Sequence, residues 1–355
     1  MFGGVIMTVC YFGIYRSHCP RNKIFVNGLK LNGIEVIECQ SNIKGLKKYI
    51  DLIIKHWKIR KKYDVMLVGF PCQQAVFLAK FISRKPIVIN IYMSTYDSMI
   101  LSRGLARTRG IKAIYYWFLD WASCKLADKI ILDTKEYIDY FVKTFKINKK
   151  KFARVYIGAL DNVFYPIERK EKNQIFTAVF TGMYIPLQGI EYIIEAAKIL
   201  EGSGVKFLLV GGGQEKENIV KLANDLKVKN VEFIGFSSQE VLRQEIAKAD
   251  VCLGIFGNVD KTKRVIPNKV YECIAMRKPV ITADTKAIRE LFTEEDLWLV
   301  KISDANAIAE GILKLKNSPE LRKKIADNGY NKFIKNVTPK ALGQELKNII
   351  QNIKK

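Results

Sequence analysis

The sequence lacks the features that mark several classes of protein. It contains no apolar run of about 18 residues, so no transmembrane helix is predicted. Its seven cysteines show no C-x-x-C spacing, and Cys10, Cys252 and Cys273 stand in apolar runs. This pattern indicates reduced core residues of a cytoplasmic protein, without a disulfide framework or a metal cluster. No Asp-x-Asp pair is present to hold a metal ion, and only 2 of the 355 residues are histidines.

Negative charge is also scarce. The chain has 59 Lys and Arg against 35 Asp and Glu, a formal net charge of +24. The excess predicts attraction to an anion, which could be a phosphorylated substrate, an anionic lipid headgroup or nucleic acid. Nucleic acid is disfavoured, because the cations are spread along the chain and no RNA- or DNA-binding motif occurs. Solvated lysine faces are the alternative explanation of the excess.

The first residues, M-F-G-G-V-I-M-T-V-C-Y-F-G, lack a basic segment and a small-residue cleavage site. They predict a buried strand rather than a signal peptide. The expected location is therefore the cytoplasm. Because the chain is strongly basic, peripheral association with the anionic inner face of a membrane is a further expectation.

Apolar strands alternate with amphipathic helices along most of the chain, which predicts an α/β protein with doubly wound parallel sheets. Predicted strands cover 5–15, 34–37, 64–70, 86–92, 127–133, 155–158, 175–181, 206–210, 231–234, 250–255 and a segment from 280 onwards. Predicted helices cover 23–32, 43–59, 73–83, 110–126, 188–200, 218–226, 239–249, 269–276 and 339–355.

This pattern divides the chain into two Rossmann-like halves of similar size. A hydrophilic run at 168–174 predicts the linker, so the first domain is expected at 1–168 and the second at 169–338. The final helix, 339–355, has an apolar stripe and needs a surface to pack against.

The stretch K-T-K-R-V-I-P-N-K-V-Y-E, which starts at residue 261, carries the clearest chemical signal. Asn268 is a predicted N-cap, and a helix N-terminus attracts anions. Lys269 and Arg264 add cations there, and Glu272 lies on the same helix face as Lys269. Cations beside a carboxylate suit a ligand with both phosphates and hydroxyls, such as a nucleotide sugar. An ordinary capped helix with a basic first turn is the alternative.

Several segments occur in an order that resembles the GT-B glycosyltransferases of family 4, also called glycosyl transferases group 1. They are A-D-K-I-I-L-D-T, F-T-G-M-Y-I-P-L-Q-G-I-E, V-E-F-I-G-F, A-D-V-C-L-G-I-F-G and P-N-K-V-Y-E-C-I-A-M-R-K-P-V-I-T. The resemblance covers nearly the whole chain. It implies two Rossmann-like domains that face a central cleft, with the last helix crossing back to the first domain.

The resemblance also implies an activity. A sugar would pass from a UDP- or GDP-linked donor to a hydroxyl of a lipid-linked or polysaccharide acceptor, with retention of the anomeric configuration and without a metal or other cofactor. The leaving diphosphate would help to take the acceptor proton, which is compatible with a chain so poor in histidine. Cell-surface polysaccharide biosynthesis is the implied setting.

The donor site of the family maps onto this chain only in part. Glu272 matches the second Glu of the E-x7-E pair, which holds the ribose hydroxyls, but Arg264 stands where the first Glu is expected. After Gly182, many members have an Arg and a Lys that grip the diphosphate, whereas this chain has Met183 and Gln188 there. Our hypothesis assigns the missing charge to Arg264 and Lys269, as catalytic as well as binding groups. A degenerate, non-catalytic site is the competing explanation.

Two loops complete the predicted donor site. Gly212 is the middle residue of a glycine turn that follows a strand, and such a turn permits close approach of a ligand, although a simple tight turn is an equal alternative. By resemblance, Gly235 and Phe236 occupy the loop whose backbone holds the base.

On the acceptor side, Gly13 ends the first strand and a basic loop is predicted from there to Arg21, with His18 as a candidate base or an inert loop residue. Family members often have a sugar-contacting His after the fourth strand. None is present, so Asp97 or Ser94 is expected to fill that role.

The segment 110–126 carries Ile114, Trp117, Phe118 and Trp121 at helical spacing. This spacing predicts core packing, with an amphipathic helix on a membrane surface as the alternative. A basic cluster of Arg103, Arg107 and Arg109, just before it, indicates either a solvated loop or a contact with phosphate or lipid headgroups.

Two rival functions stay open at this point. An inverting GT-B enzyme, or a sugar-nucleotide epimerase of the same fold, would need a base in the first domain, for which Asp97 is the candidate. A non-catalytic protein that binds anions or a membrane surface would also account for the charge of +24.

Overall fold

The computed structural model describes residues 7–15, 19–168, 175–236 and 238–353. The chain forms two compact units, of which the first comprises Met1–Gly158 with Val337–Lys355 and the second Ala159–Asn336. The first unit thus ends ten residues before the predicted boundary. The predicted linker, 168–174, lies almost wholly outside the described residues.

The first unit is built on a six-stranded parallel sheet with the order β2-β1-β3-β4-β5-β6. Its strands are β1 (Thr8–Gly13), β2 (Glu35–Gln40), β3 (Val65–Val68), β4 (Ile87–Asn90), β5 (Lys129–Leu132) and β6 (Phe152–Arg154). The helices between them are α1 (Pro20–Leu31), α2 (Lys47–Ile59), α3 (Ala75–Ile82), α4 (Ile111–Leu126) and α5 (Lys135–Phe145). A π-helical segment, Asp97–Ser102, follows β4.

The strand order fixes the side of the sheet on which each helix lies. The chain steps one way from β1 to β2, and then the other way through β3, β4, β5 and β6. Because such crossovers are right-handed, α1 lies on one face of the sheet, and α2, α3, α4 and α5 lie on the other. Packing agrees with this, since α3 contacts both α2 and α4, and α4 contacts α5.

The second unit has its own six-stranded parallel sheet, with the order β12-β11-β10-β7-β8-β9. Its strands are β7 (Phe176–Met183), β8 (Val205–Gly212), β9 (Val231–Ile234), β10 (Val251–Leu253), β11 (Val280–Ala283) and β12 (Trp298–Val300). Its helices are α6 (Ile190–Ile199), α7 (Lys216–Asp225), α8 (Gln239–Lys248), α9 (Asn268–Ala275), α10 (Lys286–Arg289), α11 (Ala305–Asn317) and α12 (Pro319–Asn336).

The last helix, α13 (Pro339–Gln351), belongs to the first unit and packs on α1. Its apolar stripe is buried at Leu342, Leu346 and Ile350. The two helices approach so closely that a Cβ added to Gly343 would overlap the backbone of Gly28. Two glycines therefore permit this contact, because no side chain separates the helices at the crossing point.

Two local predictions in the first unit are wrong. Residues 155–158 form no strand, and the edge strand is β6, three residues earlier. The helix α1 begins at Pro20 instead of residue 23, so the last three residues of the predicted loop up to Asn22 are helical. Proline favours the first helical position, since its fixed φ suits a helix and its missing N–H is not needed there.

The cores of both units are apolar, as the composition suggests. Cys10, Cys252 and Cys273 are free thiols within these cores. None of the helices in the described residues combines the length and the apolar character that a membrane crossing requires.

Candidate donor site

The second sheet has a switch point beside its first strand. From β7 the chain moves outward through β8 and β9, and then returns to β10 on the opposite side of β7. Open α/β sheets bind ligands outside the carboxyl ends of their strands, at the place where the strand order reverses. For this unit that place is the end of β7, at Gly182 and Met183.

Helix α9 supplies the predicted cation of the site. It begins at Asn268, one residue earlier than expected, so Pro267 takes the N-cap position. The prediction that Asn268 caps this helix is therefore wrong. Because proline has no side-chain hydrogen-bond acceptor, the side chain of Pro267 does not cap the first turn. The helix ends at Ala275, and Arg277 turns the chain with φ +54° into β11, as predicted for this stretch.

Lys269 lies beside the end of β7. Its side chain is 5% exposed, its Nζ donates a hydrogen bond to Gln188 Oε1, and it stands 3.5 Å from the centre of the Phe180 ring. A Cβ on Gly182 would come within 3.1 Å of this Nζ. Gly182 and Gln188, predicted from one motif, and Lys269, predicted from another, therefore lie close together.

The ammonium group of Lys269 is hard to keep charged at this position. Burial lowers its pKa well below the ordinary value, and the neighbouring Cys273 and Glu272 offset only part of that effect. The charge is stabilised instead by the face of the Phe180 ring and by the Gln188 carbonyl. An anionic ligand at the end of β7 would stabilise it further.

Glu272 follows Lys269 on the same face of α9 and is half-buried. Burial raises the pKa of its carboxyl to about 7, although Lys269 acts in the opposite direction. The carboxyl group therefore titrates near neutral pH. As a carboxylate it can accept two hydrogen bonds from adjacent hydroxyls.

The glycine turn closes the other side of the β7 end. Gly211 and Gly213 have φ values of +144° and +147°, a region that side-chain-bearing residues rarely adopt. A Cβ on Gly212 would lie 3.2 Å from the ring of Phe236, so the glycine turn and the loop after β9 are in contact. The Phe236 ring is 71% exposed, and the space beside Gly235 is open. These loops were assigned to the same site from sequence, and they do lie together.

Arg264 stands in a short 3-10 helix, Asp260–Arg264, and is half-buried. This helix packs against the 3-10 turn Pro186–Gln188, which carries Gln188. Arg264 is thus placed on an element next to the predicted diphosphate position, and its share in holding the phosphates stays a prediction. Lys263 points elsewhere, since its ammonium group lies 3.4 Å from Asp260 in an exposed ion pair.

Arg21 is not an exposed acceptor-side residue. It is 1% exposed, and its guanidinium donates to Asn90 Oδ1 at 2.9 Å and to the carbonyls of Val155 and Tyr156 at 3.1 and 2.9 Å. These bonds fasten α1 to β4 and to the segment after β6. With its guanidinium buried and held by these bonds, Arg21 helps to fix the position of α1 on the sheet.

Two further residues predicted for the acceptor side also have buried side chains. Ser94 and Asp97 are both fully buried. Ser94 Oγ donates to Asp120 Oδ2 at 2.7 Å, and Asp97 Oδ2 accepts from the Tyr137 hydroxyl at 3.1 Å. Neither side chain is exposed to a substrate in this structure, which gives both a structural role. Gly13 ends β1 with φ +136°, whereas His18 lies outside the described residues.

Asp120, on α4, organises the segment after β4 and was not singled out from the sequence. Its carboxylate accepts from Ser94 Oγ, from the backbone N–H groups of Thr95 and Tyr96, and from Gln73 Nε2. Burial raises its pKa to about 6, against the effect of these hydrogen bonds. The only sequence signal was a lone Asp within an apolar helix.

The second unit matches a known family. Residues 165–332 fit the family model described as glycosyl transferases group 1. The chain is therefore similar to this family over 168 of its 355 residues. Its architecture of two units, each with a parallel Rossmann-like sheet, is the GT-B fold, and the resemblance noted in the sequence is confirmed.

Curated relatives of this chain are distant in sequence. An alpha-D-kanosaminyltransferase of Streptomyces kanamyceticus is 24% identical over 49% of this chain and 45% of its own length. A chitobiosyldiphosphodolichol beta-mannosyltransferase of Kluyveromyces lactis is 21% identical over 85% of this chain and 74% of its own length. The glycosyltransferase CapM of Staphylococcus aureus, named for capsular polysaccharide biosynthesis, is 22% identical over 90% of both chains. The match thus spans less than half of the first relative.

Solved structures show the same fold over nearly the whole length of the chain. Sucrose-phosphate synthase of Thermosynechococcus elongatus superposes with a TM-score of 0.74 at 14% identity, covering 98% of this chain and 99% of that one. HepE of Anabaena, solved in complex with UDP-glucose, gives a TM-score of 0.73 at 14% identity, covering 98% and 100%.

Proposed function

We propose that this glycosyltransferase moves a sugar from a nucleotide-sugar donor to a hydroxyl of a lipid-linked or polysaccharide acceptor, with retention of the anomeric configuration. The observation that carries the proposal is the buried Lys269 at the end of β7, against Gly182 and Gln188, with Glu272 next to it on α9. The acceptor class follows the names of the mannosyltransferase and CapM relatives. A uracil nucleotide follows the UDP-glucose of HepE.

The proposed chemistry is mainly electrostatic. Lys269 neutralises charge that grows on the leaving diphosphate, with Arg264 as the second cation. Glu272 accepts hydrogen bonds from the ribose hydroxyls and so orients the donor. Groups fixed in advance and partly shielded from water stabilise a developing charge better than water does, because they need no reorganisation during the reaction. The leaving diphosphate takes the acceptor proton, so no protein base is required.

A protein base is what an inverting enzyme or an epimerase would need in the first unit. Asp97 was the candidate, but its side chain is fully buried and accepts from Tyr137. This geometry counts against Asp97 as that base, since a general base must reach the proton that it removes.

The proposal is tested by the release of nucleoside diphosphate from UDP- and GDP-sugars in the presence of a polyprenyl-diphosphate-linked glycan acceptor. We expect Lys269→Met to lower kcat by about 100-fold or more, the scale seen when one charge-stabilising donor is lost. Lys198→Met is the matched control, because Lys198 is exposed and pairs with Glu201. NMR of the product gives the anomeric configuration. Full activity of Lys269→Met, or an inverted product, would overturn this account.

A further inference from the structure

The outer face of α2 is apolar, although it does not face the core. The stripe has at least one exposed apolar residue per helical turn. Its residues are Leu46, just before the helix, and Ile50, Ile53, Ile54 and Trp57. Their exposed fractions are 81%, 60%, 41%, 53% and 65% in the same order. Amphipathic helices of globular proteins normally turn such a stripe inward. In α2 the inward positions are Leu52 and His56.

The same arrangement continues on the two neighbouring helices. On α3, Phe81 is 88% exposed and Phe77 37% exposed. On α4, Ile111 is 87% exposed, and the outer face continues one and two turns on through Ile114, Tyr115 and Phe118. The prediction of core packing for 110–126 is therefore wrong for Ile114 and Phe118.

These three helices form one surface. They are consecutive on one face of the first sheet, and α3 packs against both α2 and α4. Gln74, which precedes α3, also donates to the Tyr115 hydroxyl at 3.5 Å. We call the exposed apolar residues of α2, α3 and α4 the apolar face. Isolated exposed apolar residues are ordinary, whereas a contiguous set across three helices marks an interaction site.

The segments that carry the apolar face are strongly basic. Residues 41–62 contain eight Lys or Arg and a single acidic residue, Asp51. Residues 71–118 contain seven Lys or Arg and a single acidic residue, Asp97, which is buried. Lys47 and Lys58 flank the stripe on α2, and Arg60 stacks on the Trp57 ring at 3.7 Å. The surroundings of the apolar face therefore carry a large positive charge.

We propose that the apolar face binds an anionic lipid bilayer, with its apolar side chains inserted at the headgroup boundary and the flanking cations paired with lipid phosphates. Apolar faces flanked by Lys and Arg, with Trp and Phe among the apolar residues, bind bilayers in this way. A second copy of this chain is a poorer partner, because a symmetric contact would bring two sets of cations together. The surface is distinct from the donor site, which belongs to the other unit.

The test is co-sedimentation of the full chain with two kinds of vesicle, without any sugar donor. One kind is pure phosphatidylcholine, and the other is an equimolar mixture of phosphatidylcholine and phosphatidylglycerol. We expect the wild-type protein to bind the mixed vesicles at least about tenfold more tightly, and this preference to disappear at high salt. The Trp57 emission should shift to the blue on binding; Trp57→Phe identifies its share of the signal.

The variant Ile54→Gln should lower the binding to mixed vesicles by about tenfold or more, the amount expected for the loss of one buried aliphatic side chain. Ile199→Gln is the matched control, since Ile199 is an isoleucine of α6 in the second unit, exposed to 50% against 53% for Ile54. Phe81→Gln is a second variant that should behave like Ile54→Gln. Because all three side chains are exposed, the thermal unfolding of each variant should match the wild type.

Three results would overturn the proposal. The first is a wild-type protein that binds neither kind of vesicle. The second is an equal loss of binding in Ile54→Gln and Ile199→Gln. The third is a lipid-free dimer in sedimentation velocity that Ile54→Gln converts to a monomer, because the apolar face would then serve a second copy of the chain. None of these results bears on donor binding, so the transfer reaction is tested separately.

Discussion

Two effects act in opposite directions on the ammonium group of Lys269. Burial favours the neutral amine, whereas a diphosphate needs a charged partner. In this chain Gln188 accepts the hydrogen bond of Lys269. The cation beside Gly182 therefore comes from the first turn of α9.

This arrangement predicts that nucleoside diphosphate binding takes up protons. Burial lowers the pKa of Lys269 in the free protein, and the phosphates should raise it again, so protons pass from buffer to protein on binding. Calorimetry of UDP and GDP binding in two buffers with different ionisation enthalpies measures the uptake.

The matched control for this uptake is Lys269→Met, in which it should vanish. Glu272→Gln should keep it, because hydrogen bonds from the ribose hydroxyls favour the carboxylate form of Glu272, so that this group releases a proton on binding instead of taking one up. Binding enthalpies that do not depend on the buffer in the wild-type protein would contradict the assignment.

Individual residues also show what could be predicted from the sequence and what could not. The meeting of Gly182, Gln188 and Lys269 could be predicted from the strand ends. Gly182 lies at the carboxyl end of β7 and Gln188 follows it, whereas Lys269 is on the helix after β10, whose carboxyl end lies at the same edge of the sheet. The burial of Arg21 and Ser94 could not be predicted, since it depends on hydrogen bonds to residues far away in the chain. The periodicity of a sequence predicts which face of an element is buried, but it does not predict the hydrogen-bond partner of a single polar side chain.

At the scale of elements, the contact between α1 and α13 fixes the end of the chain to the first unit. Gly343→Ala would place a methyl group against the backbone of Gly28. We expect it to lower the free energy of unfolding by about 1–3 kcal/mol, as overpacking does, although alanine is otherwise the better helix former.

Denaturant unfolding of the full chain measures the effect. Gln344→Ala is the control on the same helix, because Gln344 is exposed and bonds only to Asn348. It should change stability by less than about 0.5 kcal/mol. If both variants unfolded alike, the close approach of α1 and α13 would not contribute to stability.

Element types were easier to predict than element ends. The strand 231–234 was predicted with its observed bounds, because Val231–Ile234 stands between turn residues. The strand expected at 155–158 was wrong, since its apolar residues are buried although β6 already ends at Arg154, and the N–H of Val155 makes one further bond to the carbonyl of Leu132. Apolar runs predict burial in both cases, and only the hydrogen-bond partners decide whether a buried run is a strand.

At the scale of the whole molecule, the two units carry different surfaces. The donor-site residues Gly182, Gln188, Gly212, Lys269 and Glu272 all belong to the second unit, Ala159–Asn336. The apolar face belongs to the first unit. The net charge of +24 predicts an anionic partner, and we propose two places for one: a diphosphate at the end of β7 and lipid phosphates around the apolar face.

The central claim is that the second unit binds a nucleotide sugar through α9. A thermal-shift panel of UDP, GDP, ADP and their common sugar conjugates tests it most directly, on the wild-type protein, on Glu272→Ala and on the control Glu310→Ala, whose glutamate is exposed on α11. A ligand at 100-fold above its Kd adds about 2.7 kcal/mol to stability. We predict that one nucleotide raises the Tm of the wild-type protein and the control, and that Glu272→Ala loses most of this response. An equal response in all three proteins, or none in the wild type, would contradict the claim.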